Sequence, residues 1–354
     1  MYRKTYKEIN LENIKYNVKT IINKYNNYKY YFGVVKANCY GSGIKSIPSI
    51  IEGGCNYLAV ATLEEALEIR ENKIDTPILC LGHIPSNYLY LCLENNITIT
   101  VNSLEYTLEI ADMNLNIENL KVHLKINTGM NRLGINKEKD LITIVNLLKK
   151  KNANIEGLYT HIYEANNDIN TTKQIEVFTK MYNTVKHENI KIIHFQASEA
   201  IERYEKPEFV NGCRLGIIMY GFNEVNNIKL KSTLKLYSEI IQIHKLRKGD
   251  SIGYNGIYKA TDNELIGVVS IGYADGIIRK NTGRYVYINN KPYKIVGNIC
   301  MDMLFIKIDN TIKLYDKVEI IKDNNHIKEI ANYLDTIPYE IMCNISSRVP
   351  IIYK

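Results

Sequence analysis

Apolar positions along the chain follow two rhythms. Up to about residue 230, short apolar runs alternate with stretches whose apolar residues recur every three to four positions. The first such stretch follows Asn10, a residue suited to cap a helix. Leu11, Ile14, Val18, Ile21 and Ile22 mark one face of it. Apolar runs then recur at residues 30–35, 57–60, 78–81, 97–101, 122–126, 155–161, 192–195 and 209–214. Between them, 63–69, 104–111, 139–148 and 174–185 read as helices. Eight strand-then-helix units over about 215 residues predict an α/β fold, an N-terminal (β/α)8 barrel of the TIM type. A doubly wound open sheet fits the same alternation.

The rhythm changes near residue 230. Runs at 234–244, 266–271, 285–288, 293–296 and 303–308 follow one another without long helices, and Lys248-Gly249-Asp250 and Asn289-Asn290 mark turns among them. This predicts a mostly antiparallel C-terminal β domain, with a late helix at 327–334 before the last strand. The expected domains are 1–230 and 231–354.

Composition refines this picture at its margins. Hydrophobic residues make up 45% of the 354 positions and charged residues 23%, an ordinary balance for a soluble globular chain. The net charge of +7 is scattered, and Lys149-Lys150-Lys151 reads as a solvated helix end rather than a nucleic-acid surface. Seven cysteines, an odd number without a CxxC spacing, argue for small buried apolar side chains in a reducing compartment. No metal site is expected. Met1-Tyr2-Arg3-Lys4-Thr5 leads into charged residues, so no signal peptide is visible, and no stretch reaches the roughly 18 apolar residues of a membrane span. The expected location is the cytoplasm, with no membrane partner.

Barrel enzymes build their sites at the C-terminal ends of the strands. Lys36 directly follows the first run, His161 ends the sixth, Ser198 follows the seventh and Arg214 ends the eighth. A lysine there is either a solvated strand end or a desolvated amine nucleophile. Ser198 precedes Glu199-Ala200-Ile201, so it can cap a helix, with or without an anion at that terminus. Taken together, an amine, an anion-binding turn and an arginine are what a phosphate-bearing aldehyde cofactor requires.

Five blocks then resemble the alanine racemase family in order. They are Val34-Val35-Lys36-Ala37-Asn38-Cys39-Tyr40-Gly41, Lys125-Ile126-Asn127-Thr128-Gly129-Met130-Asn131-Arg132-Leu133-Gly134, Arg214-Leu215-Gly216-Ile217-Ile218-Met219-Tyr220-Gly221, Gly272-Tyr273-Ala274-Asp275-Gly276 and Cys300-Met301-Asp302. The resemblance runs from about residue 3 to residue 352. It implies an isomerase that uses pyridoxal 5'-phosphate to interconvert L- and D-alanine, supplying D-alanine for peptidoglycan precursors. It also implies a homodimer with shared active sites.

The resemblance assigns roles residue by residue. Lys36 matches the lysine that carries the cofactor and serves as the base on one face of the substrate. Tyr273 matches the base on the other face, contributed by the second subunit. Arg214 matches the residue facing the pyridine nitrogen, and His161 a supporting partner of that system. Tyr40, Ser198, Gly216 and Ile217 match phosphate contacts. Arg132 matches a residue near the cofactor phenolic oxygen and the substrate carboxylate, and Met301 a substrate-carboxylate position contributed by the second subunit. Lys125 matches a lysine that is carbamylated in many members and orients the arginine. Two bases on opposite faces are the simplest way to remove a proton from one side and return it on the other. A tyrosine in that role needs hydrogen-bonding or cationic help.

Four positions depart from the family pattern. Ser347 stands where many members have a tyrosine that reaches the phosphate and narrows the pocket. Asn166 and Asn298 stand where an aspartate and an arginine often guard the entrance, and Asn127 replaces a usual aspartate. These bear on substrate identity more than on reaction type. A serine-specific or broad racemase is therefore an alternative. A related amino-acid decarboxylase would carry a Gly-rich triplet and a Cys-Glu-Ser block, and neither is present. A barrel-type cofactor carrier would lack the β domain and Tyr273.

Overall fold

The computed structural model describes residues 2–225 and 228–354. The chain divides into two compact units. One, the barrel unit, comprises Ile14–Cys39 and Ser46–Leu230. The other, the β unit, comprises residues up to Asn13, Tyr40–Lys45 and Lys231–Lys354.

In the barrel unit, eight parallel strands close on themselves: Tyr30–Val34, Tyr57–Val60, Ile78–Cys80, Ile97–Val101, Lys121–Lys125, Asn154–Tyr159, Ile192–Ala197 and Gly212–Leu215. Closure is made by the first and last strands, which pair Tyr30 with Gly212 and Phe32 with Arg214. That pairing excludes the open sheet. The strands are buried on both faces, as in Ile97–Val101, where every residue is enclosed. This is why they appear in the sequence as unbroken apolar runs rather than alternating ones. Helix Glu138–Lys150 buries Leu141, Ile144, Val145 and Leu148, a stripe at helical spacing. Helix Leu63–Glu71 is started by Thr62, whose hydroxyl accepts from Glu65 N while the Glu65 carboxylate returns to the cap.

The barrel interior is aromatic and polar. The Phe32 ring stacks on Tyr57 and on His194, each at 4.5 Å, and Tyr159 stacks on His194 at 4.7 Å. Gly157 faces this layer. A Cβ there would stand 2.4–2.5 Å from the His123 ring, so no other residue fits beside it.

Two strand ends differ from the sequence-based expectation. The sixth strand stops at Tyr159, so His161 lies in the loop beyond it. The eighth begins at Gly212 rather than at Phe209. Val210 closes a turn onto Pro207, and the Asn211 side chain accepts from Ile193 N and donates to Lys191 O, which makes residues 209–211 a lead-in.

In the β unit, an eight-stranded sheet runs in the order Glu264–Val269, Leu304–Ile308, Lys291–Val296, Tyr285–Ile288, Lys317–Ile321, Leu234–Leu246, Tyr6–Ile9 and Ile351–Tyr353. Glu264–Val269 also pairs with Leu234–Leu246, so six strands close a loop. All pairs are antiparallel except Tyr6–Ile9 with Ile351–Tyr353. Strand Lys317–Ile321, helix Pro338–Cys343 and strand Tyr6–Ile9 are short elements that the apolar rhythm did not predict. Helix Asn324–Leu334 appears where the late helix was expected.

Candidate active site

The first strand runs into Val35, whose N–H extends the ladder to Ala59 O, and then into Lys36. From there the backbone turns left-handed. Ala37, Asn38, Cys39 and Tyr40 all have φ between 51° and 54°. None of these is glycine, and each such residue costs about 1–2 kcal/mol. Glu65 helps to hold this turn. One carboxylate oxygen accepts from Ala37 N at 2.6 Å and the other from Ala61 N at 2.8 Å. Cys39 N also donates to Val35 O. Glu65 was not singled out in the sequence, because the Ala37 and Ala61 N–H groups it accepts from follow two different strands.

Positive groups gather at the strand ends of the barrel unit. Burial brings the Lys125 ammonium down to about 8, and the charges of Arg132, Arg214 and Lys36 push the same way. His161 is held near 3 by burial, then by Arg214, Arg132, Lys125 and Lys36. These groups therefore lie close enough to feel one another. Among the described residues, none of Lys125, Arg132 and Arg214 meets a carboxylate within ion-pair distance. Uncompensated cations packed at one end of a barrel form a receptor for anionic groups.

Arg214 is enclosed and donates to neutral acceptors. Nη1 donates to His194 Nδ1 at 2.7 Å. Nη2 donates to Thr160 O at 2.9 Å, Phe195 O at 3.0 Å and His161 Nδ1 at 3.1 Å. Nε makes none of these bonds. Arginine cannot accept, so the Nδ1 atoms of both histidines are unprotonated. Burial brings the Arg214 guanidinium down to about 10, and it remains charged at neutral pH.

Ser198 does not act as a helix cap. Helix Ser198–Arg203 has Ala197 at its cap position, and Ser198 Oγ instead accepts from Gly216 N at 3.1 Å. This bond ties Ser198 to the Gly216-Ile217 turn, two of the expected phosphate contacts. In the loop after Lys125, Asn127 uses both ends of its amide. Its oxygen accepts from Gly129 N and Asn131 N, and its nitrogen donates to Asn131 Oδ1 and Asn136 Oδ1. An aspartate could make only the first pair. Arg132 leaves this loop as an exposed side chain.

The β unit carries the remaining site residues. Tyr273 opens a short turn, Tyr273–Asp275, and is 42% exposed. Tyr273 N donates to Cys300 O and Ala274 N to Met301 O, so the structure brings Tyr273 and Met301 together. Gly272 must be glycine here, since a Cβ would stand 2.4 Å from the Cys300 and Met301 carbonyl oxygens. The turn is anchored by Asp275, which is fully buried. It accepts from Gly272 N and, in a two-pronged contact of 2.6 and 3.0 Å, from Arg3. Arg348 stands 3.9 Å from the same carboxylate and bonds to Asp302. Arg3, Asp275 and Arg348 were not predicted as site residues, because their partners lie far apart in sequence.

Tyr273 also lines a cavity of about 310 Å³ with Tyr254, Asn255, Arg279, Asn298 and Ile299. Arg279 donates to Asn298 Oδ1 at 2.7 Å, which places a cation in the cavity that Tyr273 lines. Tyr40 is buried in this unit with its ring 5.8 Å from Tyr339, and burial raises its hydroxyl well above the usual tyrosine range. Lys7, also buried, donates to Gly41 O at 2.8 Å. Ser347 is exposed.

Comparison with known proteins bears on the same residues. The family description "Alanine racemase, N-terminal domain" matches residues 9–224, and "Alanine racemase, C-terminal domain" matches residues 233–353. The chain belongs to the alanine racemase family. It is 36% identical to an alanine racemase of Ligilactobacillus salivarius over 368 residues, covering 100% of this chain and 99% of that one. It is 35% identical to one of Helicobacter pylori over 373 residues, covering 99% of both. Among solved structures, the alanine racemase of Bacillus anthracis with bound L-Ala-P superposes with a TM-score of 0.94 at 33% identity, covering 100% of this chain and 96% of that one. That of E. faecalis superposes at 0.93 and 32% identity, covering 100% and 99%.

Proposed function

We propose that this chain is a racemase that interconverts L- and D-alanine with pyridoxal 5'-phosphate, as a homodimer whose active sites combine residues of both subunits. The observation that carries the reading is the cluster of Lys36, Lys125, Arg132 and Arg214 at the barrel strand ends, whose charges act on one another without a carboxylate among Lys125, Arg132 and Arg214. Such a donor set fits a phosphate-bearing aldehyde and a substrate carboxylate. Lys36 would hold the cofactor. Ser198, Gly216, Ile217 and Tyr40 would contact its phosphate, and Arg214, backed by His161, would face its ring nitrogen. When bound, the cofactor supplies an electron sink for the substrate α-carbon.

The chain's own residues do the rest. The Lys36 amine takes or returns the α-proton on one face. The phenolic oxygen of Tyr273 of the partner subunit does so on the other. Arg132, together with Met301 of the partner subunit, orients the substrate carboxylate, and Lys125 orients Arg132. Arg214 keeps a donor-only, positive group where a proton acceptor would favour side reactions.

Ser347 favours a second reading in which serine is also accepted, because the short exposed side chain leaves open the space a tyrosine would fill. A role in supplying D-alanine for peptidoglycan precursors, and a cytoplasmic location, accompany the main reading. No helix among the described residues is long and apolar enough to cross a membrane. The deciding experiment follows D/L interconversion of alanine and of serine by the purified protein, with the cofactor absorbance recorded first. Interconversion of neither amino acid by cofactor-loaded protein refutes the proposal.

A further inference from the structure

The layer beneath Arg214 contains groups that the proposed chemistry leaves unused: His194, His123 and Glu156. Each is on a barrel strand, His123 and His194 are fully buried, and Glu156 is half-buried. Their contacts form a line. Arg214 Nη1 meets His194 Nδ1 at 2.7 Å, His194 Nε2 meets His123 Nδ1 at 3.0 Å, and His123 Nε2 meets Glu156 Oε2 at 3.4 Å.

The direction of every bond in this line follows from its first member. Arginine only donates, so His194 Nδ1 accepts and the histidine carries its proton on Nε2. That proton is donated to His123 Nδ1, which forces the His123 proton onto Nε2 and toward Glu156. Glu156 Oε2 also accepts from Tyr57 Oη at 2.7 Å, and Tyr57 in turn accepts from Thr98 Oγ1. Two donors converging on one oxygen favour the ionised carboxylate, which only accepts. Burial works against ionisation of Glu156, but the hydrogen bonds from His123 and Tyr57 outweigh it and hold the group near 2. Both line histidines are pushed down by burial and stay neutral.

We propose that Glu156 is the remote counter-charge of Arg214, and that His194 and His123 are positioning residues that connect the two by a one-way hydrogen-bond line through the barrel core. This rests on the reading that Arg214 serves the racemase chemistry. Among the described residues no carboxylate lies within ion-pair distance of Arg214, and a nearby one would quench the positive mouth that receives the anionic ligands. Placing the negative group two imidazoles away orients and stabilises the guanidinium while leaving that mouth positive. Without the carboxylate, Arg214 becomes the stronger proton donor and its specificity role weakens.

The test uses protein labelled with 15N at histidine, with and without cofactor. Long-range proton–nitrogen correlations should show His194, His123 and His161 as neutral Nε2–H tautomers between pH 6 and about 8. A proton on Nδ1 of His194 or His123 would overturn the line. Glu156→Gln keeps acceptors for His123 and Tyr57 but removes the charge. It should keep both tautomers, lower kcat for alanine roughly ten-fold with KM within about two-fold, and raise transamination per racemisation event. An unchanged product ratio and kcat would make Glu156 purely structural and refute the counter-charge. His123→Gln retains one acceptor and one donor and should recover part of the activity lost in His123→Leu. Equal loss in the two refutes the positioning role. If a variant fails to fold, the wild-type tautomers still decide the direction of the line. Absence of any racemase activity would sink the proposed function while leaving the tautomer result standing.

Discussion

Arg214 in the barrel unit and Asp275 in the β unit are both enclosed charges, yet they are satisfied in opposite ways. Asp275 meets Arg3 directly, with Arg348 behind it, and the result is a rigid turn carrying Tyr273. Arg214 meets histidine nitrogens and backbone carbonyls, in a region that also collects Lys36, Lys125 and Arg132. The first arrangement closes its charge internally, so it reads as scaffold. The second leaves positive charge to be matched from outside, so it reads as a receptor. Burial alone does not separate the two; the identity of the neighbours does.

If the receptor and the scaffold each supply one base, removing either should be severe. Lys36→Ala and Tyr273→Phe should each lower racemisation by on the order of 10³-fold. Borohydride reduction followed by peptide mapping should place the cofactor on Lys36, and a label on another lysine would refute the assignment. Mixing the two inactive chains should restore part of the activity, because one of the two sites in a mixed dimer carries neither defect. No recovery despite demonstrated subunit exchange would argue against shared sites.

Reversing the charge of the receptor comes next. Arg214→Glu should slow racemisation on the order of 10²-fold and raise transamination, measured as pyruvate formed per turnover. An unchanged ratio would remove Arg214 from the chemistry. Weakening the scaffold should act on folding first. Asp275→Asn leaves Arg3 without its counter-charge, and because Arg3 is part-exposed the loss should be roughly 1–3 kcal/mol, read from the urea midpoint. Activity should fall with it through misplacement of Tyr273, and a stable, fully active variant would show that the turn needs no ionic anchor.

Lys125 provides a gentler probe. Its folded value near 8 lies below the ordinary lysine value, so about a tenth of the amine is neutral at pH 7 and about half at pH 8. Only the neutral amine adds carbon dioxide. With labelled bicarbonate, a carbamate carbon signal should therefore grow between pH 7 and about 8.5 and vanish in Lys125→Arg. No signal in that window would mean that Lys125 acts as a simple cation. The smallest effect is expected at Ser347. Ser347→Tyr should shift the kcat/KM ratio of alanine over serine by a few-fold toward alanine, since a pocket that merely tolerates a hydroxyl discriminates weakly. If the wild type already excludes serine as strictly as the variant, the position does not set specificity.

Legibility followed length and local chemistry. Seven of the expected barrel runs start within one residue of the observed strands, and the stripe of helix Glu138–Lys150 was visible. Short elements such as Tyr6–Ile9 and Pro338–Cys343 were not, because four to six residues hold too few apolar positions to show a period. Lys36 and Tyr273 stood out through motifs whose spacing is local. Glu65 and Asp275 did not, since their partners Ala37 and Arg3 lie 28 and 272 positions away.

By itself, then, the sequence determined the alternation of buried and exposed segments, the switch from a barrel rhythm to a sheet rhythm near residue 230, and the family through five local blocks. These depend on interactions between residues a few positions apart, and such interactions are written directly in the order of the chain. The tertiary structure alone decided the left-handed run after Lys36, the pairing of Arg3 with Asp275 across 272 positions, and the line from Arg214 to Glu156. Hydrogen-bond direction, charge compensation and desolvation depend on which distant groups meet, and only the closed barrel and the closed sheet bring those groups within bonding distance.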